Sequence, residues 1–537
     1  MATLVHVGHF GRPLCSGQAL PLLLAGILAA ALAIKAAAWC ARKRHLAEIP
    51  LANPPSWLFF SRPAERVALV RSAAEALLRA RDDFPHGPFR FLSDWGELLI
   101  LPPEFAEEIR NEPKLSFGLA AMRDNHANIP GFETVRIVGR DDQLLQAVAR
   151  KHLTKHLAKA IEPLCAEASL ALAVNLGESP DWQTVRLQPA VLDIIARLSS
   201  RVYLGEQLCR SQDWLAVTKT YATAFYAASS KLRMFPRALR PLVHWWMPEC
   251  RRLRAQRRAA EAIIRPLVRR RQQAKQAAAA AGHPAPVFHD ALEWAEQEAA
   301  TAAAAAAAGR SRSCDPVVFQ LALSLLAIHT TYDLLQQAMT DLASNPQYIG
   351  PLRDEVARVV GQDGWSKASL YKMKLLDSAL KETQRLKPGS IVTMRRVATD
   401  DVALSSGLVL KKGTRVNVDN RRMTDAAVYA DPRVYNPWRF YQMRLQPGKE
   451  HVAQLVSTSP DHLGFGHGLH SCPGRFFAAN EVKVALGHML LKYDWKLAPA
   501  TDKTPDCRGM LAKASPTTDV MIRRRHDEAD TGAAARE

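Results

Sequence analysis

The chain has 537 residues, 48% hydrophobic and 23% charged, a balance that fits a globular protein and excludes a fibrous or wholly disordered one. Its formal charge of +19 suits an anionic partner of any kind and decides nothing about fold. Eight cysteines at irregular intervals, with no C-x-x-C pair, exclude a disulfide scaffold and point to a reducing compartment.

In chain order, residues 1–18 form a short leading segment. From Ala19 to Trp39 the only charge is Lys35, and Arg42, Lys43 and Arg44 follow. That run is long enough to cross a bilayer, and the cations after it keep the bulk of the chain cytosolic. We therefore expect a transmembrane anchor over 19–40, against the competing possibility of a cleaved signal peptide. Residues 41–56, basic and then proline-rich, read as a stiff linker. The body of the protein is expected over 57–522, and a polar tail over 523–537.

Within the body, helical spacing runs over 62–82, and "WGELLILPP" (95–103) reads as a strand closed by prolines. Residues 141–174 predict one or two helices with a basic face, and 186–205 a helix ending at Gly205. The stretch 251–275 holds ten basic residues and one acid, Glu261, interleaved with Leu253, Ile263, Ile264, Leu267 and Val268. An amphipathic helix with a solvated cationic face is expected there. Nucleic acid is not an expected partner, because the aromatic residues of a stacking platform are missing. Alanine-rich residues 276–313 read as a loop insertion with partial helix. Residues 316–346 predict a long buried helix, 374–388 a helix stopped by Pro388, and 391–420 two to four short strands. The chain is thus mainly α with a small β portion.

The chemistry concentrates in "HLGFGHGLHSCPGRFF" (462–477), where Cys472 sits on a glycine-rich loop ahead of a helical pattern. A helix N-terminus favours a thiolate over a thiol. Three readings follow: an inert buried cysteine, a zinc site built from His462, His467, His470 and Cys472, or a haem iron with one axial thiolate. Phe465, Gly468, His470, Cys472 and Gly474 have the spacing of the haem-binding loop of the cytochrome P-450 superfamily, which the chain resembles; His470 replaces the usual arginine. Three further motifs extend the likeness. "KETQR" supplies Glu382 and Arg385, "NPWRF" supplies Arg439 (Arg433 as the fallback), and "LLAIHTT" supplies Thr330, with His329 where the family carries an acid. The sequence is most similar to filamentous-fungal members of specialised metabolism.

The resemblance implies a single large haem-thiolate monooxygenase fold over 57–522, preceded by the N-terminal transmembrane helix. It implies haem b ligated by Cys472, with Phe465 packed beside the sulfur. His470, Arg150 and Arg396 (or Arg395) become partners for the propionates. Glu382, Arg385 and Arg439 become a haem-retaining ion trio, and Thr330 and His329 the groups that handle protons. It implies O2 and a hydrophobic substrate, such as a terpenoid or other secondary metabolite, as reactants. NADPH serves only through a separate reductase, since the chain carries no flavin or nicotinamide fingerprint. The location implied is the endoplasmic reticulum membrane, single-pass. A reductase-independent haem-thiolate isomerase or dehydratase, and a haem sensor or carrier, are the alternatives.

Overall fold

The computed structural model describes residues 46–54, 63–305 and 314–525. The chain divides between Pro50 and Leu51. In the first unit, residues 46–50 form a turn in which Ile49 N donates to Leu46 O at 3.0 Å. The expected anchor over 19–40, both ends of the linker and the tail beyond 525 lie outside the described residues.

Among the described residues, the second unit is built on nine long helices: α1 Thr154–Leu176, α2 Leu187–Leu204, α3 Gln212–Arg233, α4 Pro248–Ala280, α5 Ala291–Ala305, α6 Pro316–Ser344, α7 Ile349–Asp363, α8 Lys374–Leu386 and α9 Arg475–Lys492. Their apolar faces meet in one large core. Each fully buried Leu or Phe there contributes about 1.5–3 kcal/mol, set against the entropy of ordering the chain. Local signals fix the ends. Ser211 Oγ accepts from Trp214 N to start α3, and the Asp315 carboxylate accepts from Val317 N ahead of Pro316 to start α6. Gly205, at φ +82°, lets the chain leave α2 in a conformation few other residues adopt.

Helix α6 runs through the core. It is the one described helix long and apolar enough to cross a membrane, but 78% of its apolar window is buried inside the protein. Burial along it is interrupted at Leu326, Ala327 and Thr330, which leave one open face.

The β portion comprises β1 Phe89–Ser93, β2 Gly96–Leu101, β3 Leu115–Ser116, β4 Gln183–Arg186, β5 Val392–Ala398, β6 Val402–Ala403, β7 Val409–Leu410, β8 Arg415–Asp419, β9 Tyr493–Leu497, β10 Asp506–Arg508, β11 Leu511–Lys513 and β12 Asp519–Arg524. The main sheet has the order β1-β2-β8-β5-β3. In it β2 and β8 run parallel, Leu99 opposite Val416, and the other pairs are antiparallel. A second sheet has the order β4-β12-β9, and β6/β7 and β10/β11 are hairpins. The strand expected in 95–103 is β2, and the strands expected in 391–420 are four, β5 to β8.

One expectation changes. The alanine-rich stretch is not a loop insertion in its described part. Helix α4 continues to Ala280, and α5 buries Ala291, Leu292, Trp294 and Ala295 in the core. Alanine allows close approach at little entropic cost. Ion pairs from Asp290 to Arg271 and from Lys275 to Glu293 and Glu296 tie α5 to α4. The stretch 141–174, where one or two helices are expected, is helical but interrupted. It opens with Leu144–Ala147, passes through a π-helical turn over Val148–Leu153 and only then enters α1. Such turns mark inserted residues and cluster at functional sites.

The basic helix is as expected. Leu253 and Ile264 of α4 are buried, and Ile263, Leu267 and Val268 pack against the same core.

Candidate active site

Backbone hydrogen bonds shape the cysteine loop. Gly466 N donates to Leu463 O at 2.9 Å, Ser471 N to Gly468 O at 2.9 Å and Cys472 N to Phe465 O at 2.8 Å. Gly468 takes φ +72°, and a Cβ there would lie 2.5 Å from Arg110 Cβ and its carbonyl oxygen. That close approach lets Leu469 N donate to Arg110 O and to Asn111 Oδ1. Gly474 differs from expectation: its φ is ordinary and nothing lies within 4 Å of a Cβ built on it, so the protein alone does not require glycine there.

Cys472 stands just ahead of α9. Arg475 Nη1 donates to its carbonyl at 2.9 Å and Arg475 Nε to Val456 O at 3.1 Å. The expectation of a thiolate favoured by the helix end is corrected. Burial pushes the Cys472 thiol up, and the Gly474 and Arg475 N–H groups and the Arg475 charge only partly offset it. A metal ion would supply the missing positive charge, since a coordinating thiol loses its proton outright. The zinc arrangement does not form. His462 engages Lys381 O, His467 lies between Thr458 and Glu107, and no metal-holding cluster of three such residues exists among the described residues.

Glu382 and Arg385 come together in full burial. Arg385 Nε and Nη2 donate to Glu382 Oε2 and Oε1, each at 2.8 Å, and Arg439 Nε donates to Oε1 at 3.0 Å. The remaining guanidinium donors reach main-chain oxygens: Arg385 Nη1 those of Met423 and Pro432, and Arg439 those of Ala430, Asp431 and Val434. The trio therefore clamps α8 to the segment 423–439. Arg433, the fallback, is exposed.

The arginines proposed for carboxylate binding separate clearly. Arg396 is 2% exposed and its Nη1 donates to Arg395 O, but its Nε and Nη2 are buried without a partner. Burial, with Arg395 adding, pushes its pKa down to about 9. Arg395 is instead paired with Asp124 at 3.3 Å and lies over the Trp95 ring at 4.7 Å. Arg150, on the π-helical turn, is exposed and donates to Leu469 O at 3.1 Å.

His470 does not behave as the expected cation. Burial, then the charges of Arg396 and Arg150, pull its pKa down to about 4. Its Nε2 engages Leu115 O at 3.1 Å, so only an imidazolium would have a second N–H for a carboxylate.

On α6, Thr330 lies on the open face, and its hydroxyl donates back to Leu326 O at 3.0 Å or Ala327 O at 3.1 Å. His329 is 9% exposed, its ring edge-on to Tyr332 at 5.4 Å, with Nε2 unpaired. Burial, with Lys513 adding, pushes its pKa down to about 4, against a hydrogen bond to the Thr218 carbonyl. The imidazole is therefore held neutral.

Sequence reasoning missed Arg475, which directly follows the loop, and Gly464, where a Cβ would sit 2.3 Å from Gln384 Oε1. It also missed a buried carboxyl, Glu481, on α9.

The chain matches the family model "Cytochrome P450" over residues 139–522. It is 58% identical over 477 residues to a cytochrome P450 monooxygenase of Gibberella fujikuroi, covering 89% of each chain. It is 43% identical over 479 residues to cytochrome P450 monooxygenase hepE of Aspergillus oryzae, covering 89% of this chain and 86% of that one. A crystal structure of the cytochrome P450DA heme domain shares the fold with a TM-score of 0.65 at 16% identity, over 89% of this chain and 98% of that one. The chain belongs to the cytochrome P450 monooxygenases.

That family implies haem held by a cysteine thiolate, and the residues present fit it. A half-buried thiol meets backbone N–H groups, and Arg396 holds two buried donors with nothing to bind. The open face of α6 is lined by Leu326, Ala327 and Thr330.

Proposed function

We propose that this enzyme inserts one O2-derived oxygen atom into a hydrophobic substrate, a terpenoid or another secondary metabolite, with electrons from NADPH through a separate reductase. Haem iron is held by Cys472, and when bound it supplies the activation of O2. The observation that carries the reading is the half-buried Cys472 at the start of α9, whose thiol meets the N–H groups of Gly474 and Arg475. In this reading residues 19–40 anchor the chain in the endoplasmic reticulum membrane with the catalytic body cytosolic, and a basic surface docks an acidic reductase. Microsomal expression with a matched reductase, and mass spectrometry against terpenoid, indole and polyketide candidates, tests it. Product that forms only with NADPH, O2 and the reductase is expected; product without reductase contradicts it.

Each residue has a role that follows from its position. Phe465 packs against the core and offers its carbonyl to Cys472 N, which fixes the loop beside the sulfur. Arg396 Nε and Nη2 bind a propionate, with Arg150 beside the same loop as a second partner. Glu382, Arg385 and Arg439 retain the cofactor indirectly, by holding the chain around it.

Arg396→Gln removes a charge-assisted hydrogen bond worth about 1.5–3 kcal/mol. Haem affinity, measured by transfer of haem to an acceptor protein, is expected to fall roughly tenfold or more. An unchanged transfer rate contradicts the assignment.

Thr330 Oγ1 spends its proton on a helix carbonyl, so its lone pairs face the open side and can accept from a water that delivers a proton. His329, neutral and bonded elsewhere, fixes the helix and takes no part in this transfer. In Thr330→Ala, product per NADPH is expected to fall roughly ten- to hundredfold while NADPH consumption continues and hydrogen peroxide accumulates. Normal coupling in this variant removes the role.

A further inference from the structure

Glu481 lies on α9, nine positions after Cys472, and is fully buried. Ser199 Oγ, on α2, donates to its Oε1 at 2.6 Å, and its Oε2 has no partner. One turn further along α2 stands Tyr203, whose phenol is held neutral by burial, with the charges of Glu481 and Cys472 adding. The Tyr203 ring packs 5.7 Å from Phe477, in the first turn of α9. Tyr203 thus stands between the buried Glu481–Ser199 pair and the first turn of α9, which follows Cys472.

Among the described residues, nothing nearby compensates a charge on this carboxyl. On α9 itself, Lys483 is taken by Asp377 and Leu370 O, His488 stacks on Trp365, and Lys492 donates to Ser169. On α1 and α2, Glu167 and Arg197 pair with each other. On α7, Glu355 accepts from Leu375 N and Leu376 N. The titratable group that faces Glu481 is Tyr203, itself neutral. A buried carboxylate with one hydrogen bond and no cation is costly, and the group holds its proton instead. Burial pushes Glu481 up to about 8, with Ser199 the only offset.

We propose that Glu481 is a positioning residue held as a neutral acid, and that through Ser199 and Tyr203 its protonation state sets the electrostatic environment of Cys472 and hence the reduction potential of the bound haem. The inference rests on Cys472 as the iron ligand. Loss of the Glu481 proton adds a negative charge on the sulfur side, which stabilises ferric over ferrous iron, so the potential falls as pH rises.

The test uses the full-length holoenzyme. Infrared difference spectra between pH 7 and pH 9 report the protonated carboxyl, and spectroelectrochemistry over the same range reports the potential. The wild type is expected to lose a buried carboxyl band near about pH 8 and to show a fall in potential with the same midpoint. Glu481→Gln, neutral at every pH and of the same shape, is expected to lack both. Ser199→Ala, which removes the one bond favouring the charged form, is expected to move both midpoints to higher pH. The same potential profile in wild type and Glu481→Gln overturns the inference while leaving the Cys472 assignment intact. Absence of a thiolate signature from the wild type's reduced carbon-monoxide spectrum overturns the assignment, and the inference with it.

Discussion

Cys472→Ala is expected to give a folded protein that retains no thiolate-ligated haem and forms no detectable product. The change removes one sulfur from a half-buried loop position. Its folding cost is about 1 kcal/mol, the centre of the range for single substitutions. The loop keeps its shape because the hydrogen bonds that define it come from main-chain atoms, Cys472 N to Phe465 O among them. Alanine still makes that bond, so circular dichroism of the variant should match the wild type. What disappears is the sulfur that, as proposed, holds the iron. Bound haem, measured after gel filtration as the pyridine complex, is expected to fall by at least tenfold. A variant that keeps the wild-type haem content and spectrum would falsify the assignment of Cys472.

The second large effect is expected at Glu382. Its two oxygens accept from Arg385 twice, from Arg439 and, at 3.2 Å, from Asn436 N. Glu382 and Arg385 have no exposed side-chain surface, and Arg439 little. Removing one partner of a buried pair leaves uncompensated charge and costs about 3–5 kcal/mol, a large share of the roughly 5–15 kcal/mol that holds a domain folded. Glu382→Gln keeps the shape and removes the charge, leaving two guanidinium groups facing a neutral amide. The expected results are a lower denaturation midpoint and rapid haem loss, with little soluble holoprotein recovered from cells. A double-mutant cycle with Arg439→Met measures the coupling. A loss under about 1 kcal/mol for Glu382→Gln, as for a surface pair, contradicts the clamp.

Legibility in the sequence followed the range of the interactions involved. Helix α6 and the turn at Gly205 were readable because an apolar run and a glycine act locally. The cysteine loop was readable because its spacing lies within ten residues. The choice between Arg395 and Arg396 was not, since the two are neighbours in the chain. What sets them apart is Asp124, which arrives from 271 positions earlier to pair with Arg395, while two buried donors of Arg396 keep no partner. Alanine-rich α5 resembled a loop because its sequence carries no periodicity; its burial depends on Trp294 and on ion pairs to α4. The pKa values of His329 and His470 depend on desolvation, which no residue pattern reveals. Glu481 escaped notice for a similar reason: a polar residue in a helix reads as a solvated one until packing closes over it.

The most direct measurement is the carbon-monoxide difference spectrum of the purified, dithionite-reduced protein. A strongly red-shifted Soret band, the signature of haem held by a cysteine thiolate, is expected, with its loss in Cys472→Ala. A band at the position given by an axial nitrogen donor, or a preparation without porphyrin, would contradict it.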